Sequence, residues 1–198
     1  TKKYGADILR LWAASVDYQA DCSMSEEILK QISENYRKVR NTFRFLLANI
    51  NNEDDFTKAD LVAVSELPKL DQYMLALLDE VNAKCQLAYQ EYRFSDVTTL
   101  LTNLMTNEFS AYYLDFTKDI LYIEKKDSPR RRQVQTVLYH AVNVLVRLWA
   151  PILVHTAEEV NDFFKGEEES IHLGRFAEPF NIADAEALKA KIGRLMQI

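Results

Sequence analysis

The sequence predicts an all-α fold, an antiparallel helix bundle, on three observations. Apolar residues recur at three- and four-residue spacing over long stretches. Four glycines and four prolines in 198 residues leave few places to turn. No alternating apolar and polar run is long enough for a strand of useful length. A hydrophobic content of 48% is ample for a buried core, and the length suits one fair-sized domain or one domain with an appendage.

In chain order, Gly5 and Asp7 suit a helix start, and Ile8, Leu9, Leu11 and Trp12 follow to dock that short helix. Val16 to Met24 is polar and irregular, and Ser23 with Glu26 has the spacing of a capping box. This opens a long helix over Ser25 to Ile50, which the asparagines and aspartates of 49–55 terminate by bonding their own backbone. Pro68 begins a second long helix, to about 92, with Met74, Leu77, Leu78, Val81, Cys85, Ala88 and Tyr92 at helical spacing. Ser95 or Asp96 caps a third, whose stripe is Val97, Leu100, Leu101, Leu104 and Met105 and which runs on, bent near Ser110, to Tyr122. Ser128 and Pro129 give a cap and a first-turn proline for a fourth, with Val134, Val137, Leu138, Ala141, Leu145 and Leu148 inward, stopped at Pro151. A shorter helix spans Ile152 to Phe164, a charged linker follows, and Ala183 to Ile198 again has helical composition. Residues 1–164 read as the helical domain and 165–198 as a linker and a junction helix.

The long helix at 25–50 organises the rest. At about 100° per residue, Ile28, Ile32, Tyr36, Val39, Phe43, Leu46, Leu47 and Ile50 form one buried stripe. Lys38, Asn41 and Phe45 fall on nearly the opposite side, with Arg37, Arg40 and Arg44 along one flank. A large aromatic therefore points away from the core amid four positive charges and beside an amide. Two readings fit: a helix contact with a solvated basic face, or a nucleic-acid surface where cations meet phosphates, a ring takes an unstacked base and an amide reads a base edge.

A net charge of −6 argues against coating nucleic acid through the whole surface, so binding must be local; positive charge clusters at 37–44 and at Arg130 to Arg132. Cys22 and Cys85 are isolated, which fits a reduced, cytoplasmic compartment, and no apolar run approaches a membrane span. Catalytic chemistry is sparse. His140 reads as a core or boundary histidine, His155 with Glu158 lacks the further pairs that a di-iron bundle needs, and His172 has no partner at ligand spacing. Gly5, Gly166, Gly174 and Gly193 are too scattered for a phosphate loop, no serine sits in a nucleophile elbow, and the glutamates at 158–159 and 167–169 read as solvated charge.

Four segments carry a resemblance: Gly5-Ala-Asp-Ile-Leu-Arg-Leu-Trp-Ala-Ala-Ser15, Tyr36-Arg-Lys-Val-Arg-Asn-Thr-Phe-Arg-Phe45, Ser110-Ala-Tyr-Tyr-Leu-Asp-Phe-Thr-Lys-Asp119 and Ala150-Pro-Ile-Leu-Val-His-Thr-Ala-Glu-Glu-Val160. In that order they resemble the anticodon-binding domain of bacterial-type isoleucyl-tRNA synthetases, of class I, over about residues 1 to 180. The order is specific for the group acting on isoleucine, valine, leucine and methionine. The choice of isoleucine rests on the Ile8-Leu-Arg-Leu-Trp12 opening and the Tyr36 to Thr42 run.

The resemblance implies a full enzyme that joins isoleucine to its tRNA with ATP and Mg, using HIGH and KMSKS signatures absent here, and a C-terminal region that often holds Zn. It implies a chain cut at both ends, with no catalytic residues, cofactor or metal of its own, whose partners are the anticodon stem-loop of tRNA(Ile) and the catalytic and C-terminal domains of a monomeric parent. It places Phe45 on an anticodon base, Asn41 on a base or ribose edge, and Lys38 and Arg44 on phosphates or bases, with Arg37 and Arg40 as weaker phosphate contacts. Arg40, nearest the buried stripe, has an acid of the bundle as its alternative partner. Two positions depart from the family: Ile120 where an arginine is frequent, and Asn161 where a tryptophan is frequent. The rival functions are a protein-docking helical bundle and the same domain of a valyl, leucyl or methionyl enzyme. The chain alone is expected to form no aminoacyl-adenylate, so ATP–pyrophosphate exchange with isoleucine should give no turnover above background.

Overall fold

A computed structural model describes residues 4–19, 23–50, 56–164 and 168–195. Cys22, most of the 49–55 turn, the start of the 165–170 linker and the last three residues lie outside the described residues. Helices are α1 (Ala6–Ser15), α2 (Glu26–Ala48), α3 (Lys69–Gln90), α4 (Phe94–Asn103), α5 (Leu114–Ile123), α6 (Pro129–Trp149), α7 (Val154–Phe164) and α8 (Ala185–Leu195). A π-helical stretch, Leu104–Tyr113, joins α4 to α5, and short 3-10 turns lie at Lys58–Asp60, Val64–Glu66 and Ile171–Leu173. The described residues form an all-α bundle with no strand.

The helix ends follow local chemistry, with some departures from expectation. Ser25, not Ser23, caps α2, its hydroxyl accepting from the Ile28 N–H at 3.2 Å. Asn49 closes α2, its N–H donating to Leu46 and its side-chain amide to the Phe45 carbonyl at 2.8 Å. Neither Ser95 nor Asp96 caps α4, which starts at Phe94. Tyr92 turns back there with a left-handed φ of 58°, and Arg93 is tied to Glu91 and Asp96. Ser128 precedes Pro129 as expected, but its hydroxyl donates to Glu124 rather than capping α6.

Helix α6 is the centre. Beyond its expected stripe, Val142, Val144, Val146 and Trp149 are buried as well, so apolar contact surrounds most of the helix. Its buried polar groups are satisfied: Gln135 donates to the Asn49 carbonyl at 2.9 Å, and the Thr136 hydroxyl accepts from the Val62 N–H at 3.0 Å. The three arginines opening α6 oppose the helix dipole and hold the bundle together. Arg130 grips the buried Asp71, Arg131 donates to the Leu121 carbonyl at 3.0 Å, and Arg132 bonds Gln135 and lies 5.9 Å from the Phe56 ring. The glutamates read as solvated charge are also engaged: Glu158 accepts from Ser170 and Ile171, and Glu168 pairs with Arg147 at 2.9 Å. His140 is half-buried with its ring 4.9 Å from Phe180, and burial lowers its pKa below the ordinary imidazole value.

The π-helical stretch reconciles two stripes that an unbroken α-helix would leave out of phase. Carried forward from Val97, Leu101 and Leu104 at 3.6 residues per turn, the α4 stripe would bury Glu108 and Tyr112. The wider turns bury Phe109 and Tyr113 instead and deliver Leu114, Thr117 and Leu121 inward on α5. Three bonds to other elements hold the stretch. The Trp149 indole donates to the Met105 sulfur at 3.1 Å, the Ser110 and Thr42 hydroxyls share a bond of 2.9 Å, and the Tyr113 hydroxyl donates to Asp71 at 2.9 Å.

Asp71 is fully buried and Arg130 is about a quarter exposed, so Asp71→Asn should cost about 3 kcal/mol, the low end of the range for stranding one member of a buried pair. Tyr113→Phe should cost about 1 kcal/mol. Urea denaturation of both variants measures this.

Candidate nucleic-acid interface

Helix α2 presents its basic face beside the π-helical stretch and α5, and a cleft of about 610 Å³ opens between them. Lys38, Asn41, Thr42 and Phe45 form the α2 wall. Thr106, Asn107 and Ser110 of the π-helical stretch, with Leu114, Asp115, Lys118 and Tyr122 of α5, form the other. The Thr42–Ser110 bond crosses between the walls. Thr42 also donates back to the Lys38 carbonyl at 3.0 Å, so its hydroxyl is committed to structure.

The six predicted residues divide by environment. Lys38 and Asn41 are exposed and line the cleft. Arg44 is exposed on the flank, outside the cleft lining. Arg37 is exposed and pairs with Glu34 at 2.9 Å, a contact that solvent weakens. Arg40 is gripped at both terminal nitrogens by Glu159, at 2.6 and 2.8 Å, and bonds the Tyr36 hydroxyl. Its hydrogen bond to Glu159 raises its pKa above the ordinary guanidinium value. The same network runs on through Thr156 to Asp7, whose carboxylate accepts from the Thr156 N–H at 2.7 Å at the start of α7. Arg40 thus joins α2 to α7.

Phe45 differs from expectation. Its ring is half-buried against the core and meets Tyr122 edge-on, with centroids 6.3 Å apart and planes at 87°. The wheel placed it opposite the α2 stripe correctly, but α5 closes on that side, so the ring is a wall of the cleft. The second wall was missed altogether. Its signal was the phase slip between the stripes at 97–105 and 114–121, which a helix period alone reads as a bend.

The arrangement has an aromatic side, amides at Asn41 and Asn107, and cations at Lys38 and Lys118, the latter paired with Asp115 at 2.6 Å. That mixture suits a flat heterocycle with polar edges next to a phosphate. No three His, Cys, Asp or Glu side chains among the described residues converge to hold a metal. No helix among them is long and apolar enough to cross a membrane.

Comparison with known proteins agrees in kind. A family model described as the anticodon-binding domain of tRNA ligase matches residues 71–198, covering the π-helical wall but not α2. Relatives extend the match. The isoleucine–tRNA ligase of Geobacillus kaustophilus is 50% identical over 200 residues, covering all of this chain and 21% of its own length. Those of Bacillus subtilis, 48% identical over 198 residues, and Halalkalibacterium halodurans, 49% over 191, cover 100% and 96% of this chain and 21% and 20% of their own lengths. The chain spans about a fifth of the length of the curated relatives it matches.

Because Phe45 packs against the core and Tyr122, Phe45→Ala should cost about 1–2 kcal/mol in stability. Asn41→Ala and Lys38→Ala, truncations of exposed side chains, should stay within about 0.5 kcal/mol. Thermal melts of the three variants separate these outcomes.

Proposed function

The chain belongs to the anticodon-binding domains of tRNA ligases, and from that premise we propose that it is the part of an isoleucine–tRNA ligase that grips the anticodon stem-loop of tRNA(Ile). The observation that carries this reading is the cleft, where Lys38, Asn41 and Phe45 converge on one opening. Phe45 offers ring surface to a base, Asn41 contacts a base or ribose edge, and Lys38 and Arg44 meet phosphates. Arg37 reaches a phosphate by leaving Glu34, at little cost for an exposed pair. Arg40 ranks last, because a phosphate would have to displace Glu159 from both of its terminal nitrogens.

The RNA-facing unit is residues 1–164, which contain every residue of the cleft, and 165–198 form the junction. ATP, magnesium and any zinc belong to the remainder of a longer, cytoplasmic, monomeric parent.

Fluorescence anisotropy with a labelled anticodon stem-loop tests the proposal. Micromolar affinity is expected, with a log–log salt slope of roughly −3 for four phosphate contacts. Asn41→Ala should weaken binding about tenfold. Equal affinity for a stem-loop with a scrambled loop would sink the reading.

A further inference from the structure

We propose that the wall facing α2 selects one base of the bound loop, and that Asn107 of the π-helical stretch is the specificity-determining residue. The inference rests on the anticodon reading above and adds to it a residue and the kind of base edge it contacts.

Asn107 is exposed and lines the cleft across from Asn41. Its Oδ1 accepts only a long 3.4 Å contact from Thr106, and its Nδ2 donors have no protein partner among the described residues. Charge sets the orientation of a ligand. On α2, the Lys38 and Arg44 side chains form no ion pair among the described residues, so a phosphate backbone is drawn to that side. Across the cleft, Asp115 stands beside Lys118 at 2.6 Å, so that rim carries no net positive charge while the α2 side does. A nucleotide held by its phosphate on α2 therefore turns its base toward the π-helical wall, with Phe45 and Tyr122 alongside.

Reading a base edge requires a side chain fixed in space, and Asn107 stands on a backbone tied at both ends. Trp149 holds Met105 two residues before it, and Asp71 holds Tyr113 six residues after it. A carboxamide sets a donor beside an acceptor, the complement of an unstacked base edge that does the same, such as the N6/N7 edge of adenine or the N4/N3 edge of cytosine. The contact assigned is accordingly to one unstacked loop base that presents such an edge.

The test is a coupling cycle between Asn107→Ala and single-base replacements around the loop, read by anisotropy on the full chain with melts as a folding control. For the wild type, replacing the one loop base that Asn107 contacts should weaken binding about tenfold. In Asn107→Ala the unmodified loop should bind about tenfold more weakly, and replacing that base should add little further loss. Equal losses at every loop sequence, or no loss, would overturn the assignment of Asn107 while leaving the anticodon reading intact. A wild-type protein that ignores loop sequence would overturn both.

Discussion

A single buried carboxylate, Asp71, fixes where the rest of the bundle can stand. An uncompensated charge inside a protein costs several kcal/mol, so Asp71 must keep both the Arg130 guanidinium and the Tyr113 hydroxyl. Each partner opens or closes an element: Asp71 lies in the first turn of α3, Arg130 in the first turn of α6, and Tyr113 is the last residue of the π-helical stretch. Three segment ends meet at one point. Because α6 is the central helix, its anchoring at that point also sets where α5 starts and how the cleft wall faces α2.

The positive charge of the chain divides by the same logic. Arg10 donates to the Pro151 and Ile152 carbonyls at the turn between α6 and α7, and Arg147 holds Glu168 and the Arg175 carbonyl. Arg130, Arg131, Arg132 and Arg40 are likewise bound within the bundle. What remains displayed around the cleft is a short row on α2. A protein of net charge −6 with so few displayed cations gains modest electrostatic attraction and little non-specific binding. On the proposed reading, discrimination comes from the shape and polar edges of the cleft.

The single-sided helices were legible because their pattern is simple. On α2, Val39, Phe43, Leu46 and Leu47 are buried as their spacing indicates, as is Ile50 just beyond it, and Asn49 ends the helix as an asparagine does. Helix α6 was only half legible: a helix buried on most sides has no single stripe, and Thr136 and Gln135 look like surface residues until Val62 and Asn49 meet them. Arg130 to Arg132 read only as a second cluster of positive charge, because Asp71, which holds Arg130, lies far away in sequence. Phe45 was misjudged in degree, since no wheel of one helix reports that Tyr122 closes on it. The π-helical stretch was the least legible, because periodicity arguments presuppose the period it breaks.

That break explains why the cleft exists where it does. An unbroken helix from Phe94 to Ile123 would turn Glu108 and Tyr112 toward the core in place of Phe109 and Tyr113, giving up the full burial of two aromatic rings. The wider turns keep Phe109 and Tyr113 inward although Glu108 Oε2 is left buried without a hydrogen-bond partner among the described residues, and they set Thr106, Asn107 and Ser110 beside the α2 face. Wider turns have poorer backbone geometry than an α-helix, and the bonds from Trp149, Thr42 and Asp71 offset that weakness. The irregularity is therefore enforced by the core rather than by the surface.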